Sequence, residues 1–167
     1  RNDRVVWASC MVACGDADGA VTGNTRRFGA SLDKIKQVVN PRSGEIMFGL
    51  NLVVHKGKTI FVADTSVHEY PSSEQMAEIA ISTARVVRLF GFNPKVAFVS
   101  HSTFGQPLTS RTKHIRNAVD ILKEKKVDFE FDGDMQPDVA LNPEYKDLYP
   151  FSKIVGKANI LIMPGQH

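Results

Sequence analysis

The sequence predicts an α/β fold of three layers, α/β/α, around a mostly parallel, doubly wound sheet with one antiparallel hairpin. Three observations carry that expectation. Apolar runs of strand length alternate with longer runs of helical period along the second half of the chain. Two extended runs lie back to back across a four-residue connection, which breaks the alternation and marks the hairpin. The later strands each finish in a polar or glycine-bearing loop, as strands do when their carboxyl ends border a ligand crevice.

Taken in order, the opening from about Asp3 to Cys14 fits a helix packed on its apolar residues, and the cluster Gly15-Asp16-Ala17-Asp18-Gly19 breaks it. A short buried strand is expected over Ala20 to Thr22, then a helix from about Arg27 to Val39, closed by the turn cluster Asn40-Pro41-Arg42-Ser43-Gly44. Glu45 to Val54 and Thr59 to Ala63 are the extended pair, joined through His55-Lys56-Gly57-Lys58. The best-marked helix follows Tyr70-Pro71. Ser72 and Gln75 have the spacing of a capping box, and Met76, Ile79, Ala80, Thr83, Val86, Val87 and Phe90 recur at helical period. Gly91 and Pro94 stop it. Next come a strand, Lys95 to Val99, and a helix from about Ser110 to Lys125 with Ile115, Ala118, Val119 and Leu122 inward. A strand over Val127 to Phe131, short helical pieces near Pro137 to Leu141 and Pro143 to Leu148, and a last strand, Ala158 to Met163, complete the reading.

At 167 residues the chain is expected to form one domain, residues 1–167, with a full core. Apolar and charged contents of 43% and 23% are those of an ordinary globular protein. A net charge of +3 from dispersed basic residues gives no footprint for nucleic acid. No apolar run approaches the roughly 20 residues needed to span a bilayer. No membrane partner is therefore expected, and the setting read is cytoplasmic. Cys10 and Cys14 lack a nearby histidine pair and read as reduced core cysteines. Both ends look cut, since Arg1 has no Met before it and Gly165-Gln166-His167 stops just after an apolar strand, so a fragment of a longer protein is expected.

Several residues are candidates for chemistry. The loop Ser100-His101-Ser102-Thr103-Phe104-Gly105 is rich in hydroxyls and lies ahead of a helix with Arg111, Lys113 and Arg116 on its early turns; it suits phosphate binding or a plain surface loop with a helix cap. Asp132, Asp134, Gln136 and Asp138 follow the strand that Phe131 ends, and Gly133 is read as the sharp turn between them. Their carboxylates suit Mg²⁺ or a structural use; no metal site is assigned. Asp64 ends a strand, in a crevice or in a local turn. His55, His68, His101 and His114 share no ligand spacing, and His101 is read as a hydrogen-bonding residue. Thr22, Thr25 and Arg26 precede a helix, where Arg26 and Arg27 oppose the dipole unless an anion is present.

The segments ACGDADGAVTG, VADTSVHEYPSSEQMAEIA, FGFNPKVAFVSHSTFG, DFEFDGDMQPDVALNP and GKANILIMPG, in this order, resemble the phosphate acetyltransferase (phosphotransacetylase) family over nearly the whole chain. TGNTRRFGASLDKI, SHSTFG and the ending MPGQH are most similar to the C-terminal acetyltransferase-like domain of bacterial hybrid NADP-dependent malic enzymes. The resemblance implies the second lobe of the two-lobed phosphotransacetylase fold, with acetyl-CoA or CoA as ligand. It implies a regulatory and oligomerising role, at least dimeric, with NADP and a divalent metal held only by an upstream malic domain. The expected ligand contacts are Thr22, Thr25, Arg26, Ser100, His101, Ser102, Thr103, Asp132, Gln136 and Asp138. No catalytic residue is assigned, for two reasons. The family's Arg-bearing segment after the first Thr-Gly is shortened here, so that Phe28 or Gly29 falls near the arginine's place. The family's Ser-Arg pair and catalytic Asp lie in a C-terminal tail that this chain does not contain.

Overall fold

The computed structural model describes residues 3–105 and 109–165, without the side chain of residue 146. Arg1, and Gln166 and His167 of the MPGQH ending, lie outside the described residues. The chain falls into two compact units, residues 1–44 and 45–167.

The first unit holds two helices, α1 (Arg4–Cys14) and α2 (Phe28–Lys36). Asp3 caps α1 by accepting from the Val5 N–H, and Gly15 closes it in the left-handed region. The expected strand over Ala20 to Thr22 does not form, and Val21 is fully exposed. Three residues bounded by glycines bring no ladder partner of their own. Helix α2 ends at Lys36, three residues before the expected Val39. The Val38 and Val39 N–H groups still turn back to the Ile35 carbonyl, and Pro41 bars further helix. Cys10 and Cys14 are free and exposed on α1, against the core placement expected for them. Among the described residues of this unit only Val5, Ser9 and Ser31 are buried, too few to make a core that could take them in.

The second unit carries the sheet, in strand order β1-β2-β5-β3-β4. Strands β1 (Leu50–His55) and β2 (Lys58–Ala63) form the expected hairpin, paired antiparallel from Leu50 opposite Ala63 to His55 opposite Lys58. Strand β5 (Ile160–Ile162) lies parallel between β2 and β3 (Lys95–Val99), and β4 (Glu130–Met135) lies parallel to β3 on the outer edge. The crossovers β2-α3-β3 and β3-α4-β4 run through α3 (Ser73–Leu89) and α4 (Ser110–Glu124). Helix α3 starts on the anticipated capping box of Ser72 and Gln75. Helix α4 starts on a second such box, Thr109 with Thr112, which the sequence reading did not single out.

One core lies between the sheet and these two helices. Phe61, Val96, Phe98, Ile160 and Ile162 face Met76, Ile79 and Val87 of α3 and Ile115, Val119 and Leu122 of α4. On the other face Ala97, Val99, Met135 and Leu161 pack against Ala140 of α5 (Pro137–Leu141), Ile154 and Ala158. Phe90, expected in the α3 stripe, is exposed, although its ring still meets Phe61 at 5.6 Å.

Strand β4 departs most from expectation. It runs from Glu130 to Met135, so the DGD stretch read as the turn after the strand is the strand itself. Phe98 pairs with Gly133 and Val99 with Met135, which leaves Asp134 as the extra residue of a bulge. Gly133 is required there for closeness as well as for conformation. Its φ is 154°, and a Cβ would lie 2.7 Å from the Cβ of Phe98 on the neighbouring strand.

Candidate functional site

Because β2, β5, β3 and β4 are parallel, their carboxyl ends share one edge, and four segments meet there. A cleft of about 250 Å³ opens at this edge, lined by Val99 at the end of β3, by Ser100 and His101 after it and by Pro137 after β4. Met163, Pro164 and Gly165 after β5, Tyr70 and, from α4, Arg111 and Ile115 complete its wall. A second hollow of about 240 Å³ beside it shares Tyr70, Arg111, Ile115 and Pro164. The lining is mainly apolar with a few convergent polar groups, as small-molecule sites are. Arg111 is the cation of the cleft. Its Nη2 donates to the Tyr70 hydroxyl at 2.5 Å, and its guanidinium carbon stands 5.6 Å from the centre of that ring.

The loop from Ser100 to Gly105 is fastened to β4 at every turn. The Ser100 N–H donates to the Met135 carbonyl at 2.9 Å and the Phe104 N–H to the Asp134 carbonyl at 2.7 Å. Gln136 donates through its backbone to Thr103 Oγ1 at 3.2 Å and through Nε2 to the His101 carbonyl at 2.8 Å. Inside the loop, Ser102 Oγ donates to Asp134 Oδ2 at 2.6 Å, and Arg116 Nε donates to Asp134 Oδ1 at 3.1 Å. Asp134 is fully buried, so these partners offset the cost of taking a carboxylate out of water. Gly105 lies directly under the guanidinium of Arg116, where a Cβ would come within 1.7 Å of Nη2. The bulge is what carries Asp134 to this position. Its role was invisible in the sequence, where it stood only as one of four acidic or polar groups.

The other anticipated residues divide. Ser100 and His101 line the cleft, while Ser102 is joined to Ser100 through its hydroxyl and Gln136 to Thr103 and to the His101 carbonyl. Asp132 is buried in β4, away from that cleft. It accepts from the Gly133 N–H at 3.0 Å and the Lys153 N–H at 2.7 Å, and it lines a separate hollow with Arg116, Lys123 and Lys153. Asp138 stands exposed in the first turn of α5, and among the described residues no donor reaches its carboxylate. Thr22, Thr25 and Arg26 are exposed and belong to the first unit. Arg26 already has an anion, donating at 2.7 Å to Asp3, which Lys34 also contacts. Those two cations, Lys34 foremost, hold the Asp3 carboxyl below the usual range.

Asp64, at the end of β2, serves its own turn. Burial pushes its carboxyl up, but four backbone N–H donors, from Gly49, Ser66, Val67 and His68, and the His68 ring at 2.6 Å outweigh that, and the net direction is down. His114 bonds the Pro71 carbonyl through Nε2 and Ser73 Oγ through Nδ1, locking α4 to the start of α3. Tyr70 is the cleft residue that sequence reasoning missed. Its only signal was its place just before a helix that starts at the sheet's carboxyl edge. Among the described residues no three His, Cys, Asp or Glu side chains gather as a metal-ligand set. No helix of the described residues is long and apolar enough to cross a membrane.

Parallel strands with a loop-built cleft at their carboxyl edge define an α/β domain of the doubly wound class, the class whose sheet edge is the usual place for a small-molecule site. Residues 1–166 match the family described as "Phosphate acetyl/butaryl transferase", and the chain belongs to that family. It is 44% identical over 167 residues to the NADP-dependent malic enzyme of Rhizobium meliloti, covering 100% of this chain and 22% of that protein. It is 29% identical over 164 residues to the phosphate acetyltransferase of Buchnera aphidicola, covering 97% of the chain and 23% of the relative. A phosphotransacetylase structure from Streptococcus pyogenes superposes with a TM-score of 0.85 at 27% identity, covering 96% of this chain and 50% of that one. The chain thus spans under a quarter of the length of these curated relatives, and it is similar to the acetyltransferase-like part of the malic enzyme.

Proposed function

We propose that this chain is the acetyl-CoA-binding regulatory and oligomerisation domain of an NADP-dependent, decarboxylating malic enzyme, with no acetyltransferase turnover of its own. The observation that carries this reading is the pair of identities, 44% to a malic enzyme against 29% to a phosphate acetyltransferase, each across nearly the whole chain. The cleft supports the ligand. Its apolar wall of Val99, Ile115, Pro137 and Met163 suits an acyl-pantetheine arm, and Arg111 at the shared boundary of the two hollows suits a phosphate. The buried carboxylate beside the loop, Asp134, is engaged by Ser102 and Arg116. In this reading NADP and a divalent metal belong to the malate-oxidising part of the longer protein. The assembly is a cytoplasmic homo-oligomer, at least dimeric, with no nucleic-acid or membrane partner.

The test is malate oxidation by the full-length protein across a titration of acetyl-CoA. A saturable change in rate is expected, and an unchanged rate would remove the regulatory reading.

A second reading, a working phosphate acetyltransferase, is favoured by the likeness to the Buchnera aphidicola enzyme over 97% of the chain. It requires that the full-length protein form acetyl-CoA from acetyl phosphate and CoA. No detectable transfer would eliminate it.

A further inference from the structure

The polarity of the hydroxyl loop follows from counting hydrogens. A serine hydroxyl has one proton to give and two lone pairs to receive. Ser102 Oγ gives its proton to Asp134 Oδ2 at 2.6 Å, because a carboxylate already receiving Arg116 Nε can only accept. The contact between the Ser100 and Ser102 hydroxyls, 3.3 Å, then has one possible donor, Ser100. Ser100 Oγ also receives the Ser102 backbone N–H at 3.3 Å. Its proton and one lone pair are therefore engaged inside the loop, and one lone pair remains. Ser100 and Ser102 are both buried, so water does not readily re-order the chain.

We infer that Ser100 meets the ligand of the cleft as a hydrogen-bond acceptor, so that this hydroxyl recognises an N–H group, such as an amide of a pantetheine arm, and not a phosphate. The direction is imposed from Asp134, a positioning residue that touches no ligand. The sequence alone left SHSTFG suited to phosphate or to a plain surface loop, and this inference gives Ser100 a different use. Charge recognition in the cleft falls to Arg111 instead. The inference rests on the acetyl-CoA reading for the identity of the ligand and adds which part of it meets which residue.

The experiment uses the full-length protein and two probes, pantetheine, which carries amides and no charge, and inorganic phosphate, each competed against acetyl-CoA. Ser100→Ala should weaken pantetheine about three- to tenfold, the effect of one hydrogen bond, and leave phosphate unchanged. Asp134→Asn places an amide donor against Ser102, which turns the relay round so that Ser100 points its proton into the cleft. Pantetheine should then weaken about tenfold while phosphate competes more strongly. Ser102→Ala, which leaves the Asp134–Arg116 pair in place, should shift preference the same way to a smaller extent.

The inference is overturned if Ser100→Ala weakens phosphate and spares pantetheine, or if Asp134→Asn and Ser102→Ala lose both probes equally. It is also overturned if a wild-type protein that binds acetyl-CoA fails to bind pantetheine. A wild-type protein that does not bind acetyl-CoA sinks the acetyl-CoA reading first, and this inference with it.

Discussion

Two buried carboxylates stand at the same edge of one sheet and are used in opposite ways. Asp64, after β2, accepts four backbone N–H groups and the His68 ring. Asp134, in the β4 bulge, accepts from two side chains, Ser102 and Arg116. Both are nearly or fully withdrawn from water, at 2% and 0% exposure. Backbone donors cannot be re-aimed without refolding the chain, so Asp64 holds a turn. Side-chain donors can be re-aimed, so Asp134 can orient a loop that lines the cleft. Burial alone does not separate an acid that holds a turn from one that can orient a loop; the kind of donor does.

The comparison breaks first, if it breaks, on stability. Asp64→Ala orphans five donors in a buried turn and is expected to cost about 3–5 kcal/mol, read as a large fall in the urea midpoint. Asp134→Asn keeps hydrogen-bonding capacity on both sides and should cost roughly 1–2 kcal/mol. Equal losses would erase the distinction.

Acid should sharpen it. The folded carboxyl of Asp64 lies below its ordinary value, so it contributes stability that is present above the unfolded pKa of about 3.9 and is lost as pH falls through the lowered folded value. Unfolding free energy should thus decline as pH drops below about 4, and Asp64→Asn should flatten that decline.

The smallest effects belong to the outer fastening of the loop. Gln136→Ala removes the bond to the His101 carbonyl and should cost about 0.5–1 kcal/mol. Asp138→Ala, exposed and without a donor among the described residues, should stay within about 0.5 kcal/mol in thermal unfolding.

What the sequence disclosed follows the same division between local and distant partners. The start of α3 was legible because Ser72 and Gln75 satisfy each other three residues apart. The hairpin and the inward face of α4 were legible for the same reason, since period and turn are local. Strand β4 was misplaced because acidic residues read as solvent-facing, whereas Asp132 and Asp134 find their donors at Lys153, Arg116 and Ser102, 18 to 32 residues away. The strand expected at Ala20 to Thr22 failed in the converse way, with strand-like residues but no ladder partner. At the site, the loop Ser100 to Gly105 was visible as a cluster of hydroxyls. Its polarity was not, because that depends on a proton count closed only when β4 is in place.

The central claim is that acetyl-CoA binds in the cleft at the carboxyl edge of β3 and β5, with its charge on Arg111. Calorimetric titration of the full-length protein with acetyl-CoA, wild type against Arg111→Ala, tests it most directly. Arg111 is exposed and its bonded partner is the Tyr70 hydroxyl, so its loss should leave the fold intact. Saturable binding to the wild type that weakens at least about tenfold in the variant, the loss expected for a charge-assisted contact, is the predicted result. Equal affinity in the two proteins, or no binding to the wild type, would contradict it.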